Sequence, residues 1–415
     1  MRSAAHRLSK RTRTLFIRRV GALALALGVV SAGVYVPLVL SAPLPAAAVT
    51  LAVPEVTALP AAVLDEPAVG ASAISVAGSA ENLGSSGSSG PVPIASVTKI
   101  ITTLVVLEEK PLALGEQGPD LTMTAADVAF LAQTQAVGGS YELVNQGQVL
   151  SEYQVIEIML LESANNYSLT LVNWAFGSMA NYLEAARAFT EANGLGDTTL
   201  VDSSGLNAGS VSSTKDLMKV ATLAMANPAL AQIVGTKTNS VAGLGTIDNT
   251  NTLLGLDGID GIKTGTTDEA GSCLLFSANF TVGIDTITVV GVILGAASSE
   301  DARESVTTLL DSAKRGYTDV SLVKAGDVFG QVQTVWGDRA DLVAGGAAGG
   351  VVYSNPAVTL TAATDPFSTA APGDVVGNAD AVIAGTGTAV PLTLDAPLVD
   401  PGWLWRLANP GALLG

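Results

Sequence analysis

Cysteine and histidine are almost missing from these 415 residues: there is one of each, Cys273 and His6. A single cysteine excludes a disulfide framework and a cysteine-clustered zinc site. His6 sits in a basic N-terminal tail. The body therefore has no histidine for a Ser-His-Asp triad, a Cys-His dyad or a histidine-held metal. Chemistry falls to Ser, Thr, Lys, Asp, Glu or Tyr. Charge and aromatics are also sparse, at 14% and 5% of residues; a typical domain is about 25% charged.

Positive charge is scarce beyond the tail. Residues 1–19 hold Arg2, Arg7, Lys10, Arg11, Arg13, Arg18 and Arg19 and no acid. Without these seven, 13 basic residues face 37 acidic ones, a net charge of −24. Such a body repels phosphate backbones, so a nucleic-acid partner is not expected.

Val20–Leu40 is a run of 21 residues without a charge, followed by Ser41-Ala-Pro-Leu-Pro-Ala-Ala-Ala48. A basic flank, an apolar run and Ala46-x-Ala48 describe a secretory signal. The run is also long enough to span a bilayer. Residues 1–48 thus read as a basic tail with either a cleaved signal peptide or an uncleaved signal-anchor helix. Both leave the positive flank in the cytoplasm and export the body. The expected location is the cell envelope, on the outer face of the cytoplasmic membrane or secreted.

Residues 49–70 are Ala/Pro/Val-rich and read as a linker. Residues 71–316 read as an α+β body. Ala73–Val76 is strand-like, and Gly84–Gly90 reads as a flexible loop. Helical pattern covers Ile94–Glu109, a helix behind the capping box Ser151–Gln154, Asn166–Phe176, Asn181–Asn193 and Lys215–Ala226. Ile259–Thr264, Ser272–Ala278 and Ile287–Leu294 are strand-like, and Arg303–Ala313 closes the body as a helix. A helical cluster beside an antiparallel sheet is the expected architecture. Residues 317–400 read as a β-rich domain and 401–415 as a C-terminal tail. In that tail Trp403 and Trp405 either pack on the β-domain or touch a membrane interface. Cys273, in an apolar strand, reads as an inert core thiol.

Three short motifs bear chemistry. Ser96-Val-Thr-Lys99 opens a helix and puts a hydroxyl and an amine on one face, so a neutral lysine can take the serine proton without histidine. Ser163-Ala-Asn165 lies at a break between helices. Lys263-Thr-Gly265 ends a strand. Singly each is weak: Ser212–Lys215 and Ser321–Lys324 repeat the first spacing, and Ser277-Ala-Asn279 repeats the second. Order and context give them weight, because the three fall on the element types that a penicillin-binding active site uses.

With Pro93–Ile100, Leu160–Asn165, Ser203–Leu206, Gly258–Thr266 and Thr267–Leu274, the chain resembles the low-molecular-weight D-alanyl-D-alanine carboxypeptidases. These are serine peptidases of the penicillin-binding superfamily. The resemblance covers about residues 70–316. It implies a penicillin-binding/β-lactamase-like transpeptidase fold with an antiparallel sheet, a helical cluster and a C-terminal β-rich domain. It implies that Ser96 attacks the bond between the terminal D-alanines of a peptidoglycan stem peptide, with Lys99 as general base. Ser163 would relay the proton and Asn165 would hold Lys99 and the substrate amide. Lys263 and Thr264 would bind the terminal carboxylate, and Gly265 would admit the peptide to the strand edge. The N–H groups of Ser96 and Thr266 would form the oxyanion hole. β-Lactams would inhibit, the membrane would be met through the N-terminal segment, and no cofactor or metal is implied.

Thr266 stands where relatives differ, and the C-terminus has no long amphipathic anchor helix. Rival readings are a β-lactamase-like or esterase hydrolase on the same scaffold and a non-catalytic wall-binding module. Against the first, no glutamate occurs between Glu191 and Glu269 to activate a deacylating water. Against the last, a binding module has no chemical need for Ser96, Lys99, Ser163 and Lys263 together.

Overall fold

The computed structural model describes residues 2–79 and 82–414. It divides into two compact units. One is Ala61–Thr318; the other joins the N-terminal stretch up to Pro60 with the C-terminal stretch from Asp319.

In the larger unit an antiparallel five-stranded sheet runs in the order Ile259–Thr267, Gly271–Val282, Asp285–Ala296, Ala71–Val76, Asn82–Ser86. Its middle strands are apolar on both faces because both faces are covered. Period-two alternation divides their side chains. Leu274, Phe276, Ala278, Val289 and Ile293 pack under the helix Ser299–Arg315, against Ala302, Val306, Leu309 and Leu310. Cys273, Leu275, Val290 and Val292 turn the other way, into the core of the helical cluster. Asn82–Ser86 corrects the first part of the loop expected at Gly84–Gly90: Ser85 and Ser86 pair with Ala73 and Ser72 as the edge of the sheet, while residues 87–90 are irregular.

The helical cluster surrounds Glu152–Leu161, a helix so apolar that Val155, Ile156, Ile158, Met159, Leu160 and Leu161 are all buried. The expected capping box is present: Ser151 Oγ accepts from Gln154 N at 3.2 Å and Gln154 Oε1 from Ser151 N at 3.0 Å. Asn165–Phe176, Met179–Ala192 and Thr214–Ala226 match the expected helices within a few residues. Two helices escaped the pattern reading, Ala125–Ala136 and Pro228–Gly235. The first has only two fully buried side chains, Asp127 and Thr134, so it carries little apolar periodicity.

The smaller unit is a six-stranded antiparallel sheet, ordered Ala48–Leu51, Val328–Gln333, Arg339–Ala344, Thr386–Leu394, Val375–Ile383, Val358–Thr364. Its first strand comes from the stretch read as a linker over 49–70. Thr50 and Leu51 pair with Gln331 and Gly330, because an open sheet edge offers unpaired N–H and C=O groups to any extended segment beside it. A 40-residue helix, Arg2–Ser41, precedes this strand. Its portion Arg13–Ser41 is long and apolar enough to cross a membrane. The stretch 401–415, read as a tail, contains the helices Gly402–Ala408 and Pro410–Leu414.

Candidate active site

The turn that carries Ser96 is 3-10 rather than α-helical. Ala95–Val97 forms it, and the α-helix Thr98–Glu109 follows. In 3-10 geometry side chains at i and i+3 eclipse, which sets Lys99 beneath Ser96. Ile94, Ala95 and Val97 are buried and pin the turn. The following helix is buried from Thr98 to Leu107. Two of its threonines, Thr102 and Thr103, satisfy their hydroxyls on the carbonyls of Thr98 and Lys99.

Lys99 is fully buried and has three acceptors for its three N–H bonds. Its Nζ donates to Ser96 Oγ at 2.8 Å, Asn165 Oδ1 at 2.6 Å and the Ser204 carbonyl at 3.2 Å. Burial drives its pKa well below the ordinary lysine value; Lys263 acts in the same direction and Asp202 opposes it.

Ser163 and Asn165 come from the break between the helices Glu152–Leu161 and Asn165–Phe176. Ser163 adopts a left-handed φ of 59°, a conformation costly for a non-glycine residue and held only where the surroundings impose it. Asn165 is locked by its own N–H to the Ser140 carbonyl at 2.8 Å and by Ser168 Oγ on its carbonyl.

Lys263, Thr264, Gly265 and Thr266 lie on the outermost strand of the five-stranded sheet, so one edge is unpaired. Lys263 is buried, and its pKa is drawn down to about 7 by burial, with the Glu162 carboxylate acting against that. Its Nζ donates to Thr250 Oγ1 at 3.3 Å, and Thr250 Oγ1 also lies 2.7 Å from Thr264 Oγ1. A Cβ built on Gly265 would stand 2.6 Å from Ser96 N. Only glycine lets this strand pass so close to the serine turn.

Ser96, Ser163, Thr264, Gly265 and Thr266 line one cavity of about 240 Å³, together with Ser140, Thr250 and Arg303. Seven of the eight residues singled out from sequence are thereby joined by this cavity or by the Lys99 hydrogen bonds. The eighth, Lys263, connects through Thr250.

Sequence reasoning missed Ser140, Thr250, Arg303 and the Ser204 carbonyl. Ser203–Leu206 was noted as a motif, but a backbone acceptor has no residue signature. The competing motifs are used structurally. Ser277 and Asn279 both donate to the Asp260 carboxylate, and Ser212 Oγ bonds Thr198 Oγ1 at 2.8 Å. Cys273 borders the cavity but is buried, and burial pushes its thiol up to about 11. At neutral pH the thiol stays protonated, in keeping with the reading of a core cysteine.

The model of the D-alanyl-D-alanine carboxypeptidase family, peptidase S11, matches residues 70–298, more than half of the chain. The chain belongs to this family. Within it, the chain is 31% identical to a D-alanyl-D-alanine endopeptidase of Pseudomonas aeruginosa, over 44% of this chain and 58% of that protein. It is 26% identical to the D-alanyl-D-alanine carboxypeptidase DacF of Bacillus subtilis, over 59% of this chain and 62% of that one. The chain thus spans about three fifths of the length of these curated relatives.

Among solved structures, the D-alanyl-D-alanine carboxypeptidase DacD of Francisella tularensis superposes with a TM-score of 0.57 at 19% identity. That match covers 84% of this chain and 98% of the other. Penicillin binding protein 5 of Haemophilus influenzae gives 0.55 at 18%, covering 85% and 100%. These matches establish the expected penicillin-binding fold.

Proposed function

We propose that this S11-family chain is a serine D-alanyl-D-alanine carboxypeptidase that removes the terminal D-alanine of peptidoglycan stem peptides. The observation that carries the reading is the buried Lys99 amine, 2.8 Å from the Ser96 hydroxyl. Burial holds part of this lysine neutral, so Nζ can take the Oγ proton as Oγ attacks the carbonyl carbon of the penultimate D-alanine. The peptide docks as an added strand on the free edge at Lys263–Thr266. Its terminal carboxylate meets Lys263 Nζ and the Thr264 hydroxyl, and substrate binding returns Lys263 to its charged form. The N–H groups of Ser96 and Thr266 receive the developing oxyanion.

The C–N bond then breaks, and the proton held by Lys99 passes through Ser163 Oγ to the departing amine. Water attacks the Ser96 ester, giving its proton to Lys99. The C–O bond breaks and the proton returns to Ser96 Oγ. Asn165 keeps Lys99 aimed and has its amide nitrogen free for the substrate. β-Lactams would acylate the same serine.

We place the enzyme at the outer face of the cytoplasmic membrane, held by the helix Arg2–Ser41. Support comes from how this helix ends. Val39 and Ala42 are buried in the folded unit, Ser368 Oγ donates to the Leu44 carbonyl at 2.8 Å, and Ala47 N donates to the Phe367 carbonyl at 2.7 Å. The Ala46-x-Ala48 site is therefore built into the domain rather than presented as a free extended segment.

The test is mass spectrometry of the penicillin-treated protein and its Ser96→Ala variant. The expected adduct lies on the Ser96 peptide and is lost in the variant. An adduct on Ser212 or Ser321 overturns the assignment. Release of D-alanine from a pentapeptide, set against cleavage of a cross-linked dimer, separates the carboxypeptidase from an endopeptidase.

A further inference from the structure

The outer end of the N-terminal helix is gripped by the end of the chain. Tyr35 Oη donates to the Leu407 carbonyl at 2.8 Å. Arg406 Nη1 donates to the carbonyls of Leu40 at 3.3 Å and Ala42 at 2.8 Å, satisfying acceptors that a helix end leaves open. Its other nitrogen pairs with Asp400 at 2.7 Å. Trp405 packs edge-on to Trp336 of the β-sheet unit, with ring centroids 5.6 Å apart. Trp405 thus takes the packing role, while Trp403 and Leu404 point outward, 61% and 65% exposed.

Depth follows from geometry. Tyr35 lies five residues before the end of the uncharged run at Leu40, about 7.5 Å down the axis at 1.5 Å per residue. A helix bonded to Tyr35 is carried to that level. Tyr and Trp concentrate at the membrane–water interface, and Leu38, Leu40 and Leu414 are exposed at the same end.

We propose that the helices Gly402–Ala408 and Pro410–Leu414 clasp the outer end of the membrane helix and lie in the phospholipid interface, with Trp403 and Leu404 inserted. The proposal rests on the N-terminal helix spanning the membrane. The full chain is reconstituted in phosphatidylglycerol/phosphatidylcholine vesicles carrying brominated acyl chains, as wild type and as Trp403→Phe. Carbonate extraction reports the span; bromine quenching reports the clasp. The expected result is a carbonate-resistant chain whose fluorescence is quenched, with the quenched component lost in Trp403→Phe. A carbonate-resistant chain whose Trp403 stays unquenched by bromine overturns the clasp and leaves the span standing. If Trp403 is then also shielded from aqueous iodide, a second copy or another protein covers this face. Extraction by carbonate overturns both.

A separate observation concerns Asp202. Its carboxylate accepts from Gly205 N at 3.0 Å, Leu206 N at 2.9 Å, Asn207 N at 3.2 Å, Ser204 Oγ at 3.0 Å and Ser210 Oγ at 2.6 Å. Five donors on one carboxylate fix the loop whose Ser204 carbonyl accepts from Lys99. We infer that Asp202 is a positioning residue that aims Lys99 at Ser96 through this carbonyl. The charged groups acting on Lys99 are Asp202 itself, which favours the ammonium, and Lys263, which disfavours it.

Asp202→Asn keeps the size but loses acceptors and charge. Its acylation rate with benzylpenicillin should fall at least tenfold, and the acid limb of the rate should move to lower pH. Asp202→Glu should restore the position of the limb. Loss of rate that only follows loss of folded protein, with the limb unmoved, overturns the role. An unchanged rate also overturns it.

Discussion

Lys99 reaches across the active site to Asn165, 66 residues away in sequence, with Nζ 2.6 Å from Oδ1. That bond uses one of three N–H groups of a buried amine, and Ser96 takes another. To serve as the base proposed for it, this lysine must first lose a proton. Arginine keeps its charge and cannot act as a base. Lys99→Arg should lower the second-order rate of penicillin acylation by at least about 100-fold, the scale of general-base catalysis. Stopped-flow or gel-based labelling measures it. Retention of a tenth of the rate would contradict the role.

Lys263 offers a pH test. Its pKa near 7 in the free enzyme means the ammonium is lost as pH rises through that value. The kcat/KM for peptides with a free terminal carboxylate should decline above it. C-terminally amidated analogues should not show that decline. Lys263→Ala should cost about 10–150-fold on the carboxylate substrates, matching roughly 1.5–3 kcal/mol for a charge-assisted bond. Equal losses on both substrate types would refute carboxylate recognition.

Gly205 touches the serine turn through its backbone. A Cβ there would sit 1.8 Å from the Ala95 carbonyl oxygen, and its φ is 78°. Gly205→Ala should destabilise by about 1–3 kcal/mol from strained backbone and displace Ser96, lowering acylation. Gly196→Ala, where nothing lies within 4 Å, is the matched control. Urea midpoints and labelling rates of the two variants give the comparison.

Glu152 is buried with Oε1 unpartnered, and burial raises its pKa to about 7, against a pull from Lys110. Between the ordinary carboxylate value and that raised one, the folded protein binds more protons than the unfolded chain. Stability contributed by this group is therefore present at low pH and lost as pH rises. Glu152→Gln should be more stable than the wild type above about pH 7, by roughly 1–3 kcal/mol. The difference should shrink as pH falls toward the usual carboxylate range. Thermal melts across that window test the sign, and a variant less stable at pH 8 would contradict it.

Much of this molecule was legible along the chain. Spacing in Ser96–Lys99, the break at Ser163, the strand that carries Lys263–Gly265 (read as ending there, but running on to Thr267) and the capping box at Ser151 are local. Backbone geometry and hydrogen bonding within a few residues decide them. The apolar run Ser272–Ala278 marked a strand; that Leu274 and Phe276 face one core while Cys273 and Leu275 face the other became visible only in the structure, where both faces of the sheet are covered.

Other features were decided only in three dimensions. Asn82–Ser86 and Ala48–Leu51 have the composition of a loop and a linker, and they are strands because sheet edges nearby supply backbone partners. Ser163-Ala-Asn165 and Ser277-Ala-Asn279 are equivalent as text. One meets Lys99 and the other meets Asp260, and that depends on which chain segments pack beside them. The Ser204 carbonyl, the Thr250 hydroxyl and the grip of Leu407 on Tyr35 join residues from far apart in the chain. Their partners are backbone groups or ordinary hydroxyls, present throughout any sequence, so only packing selects the ones that count.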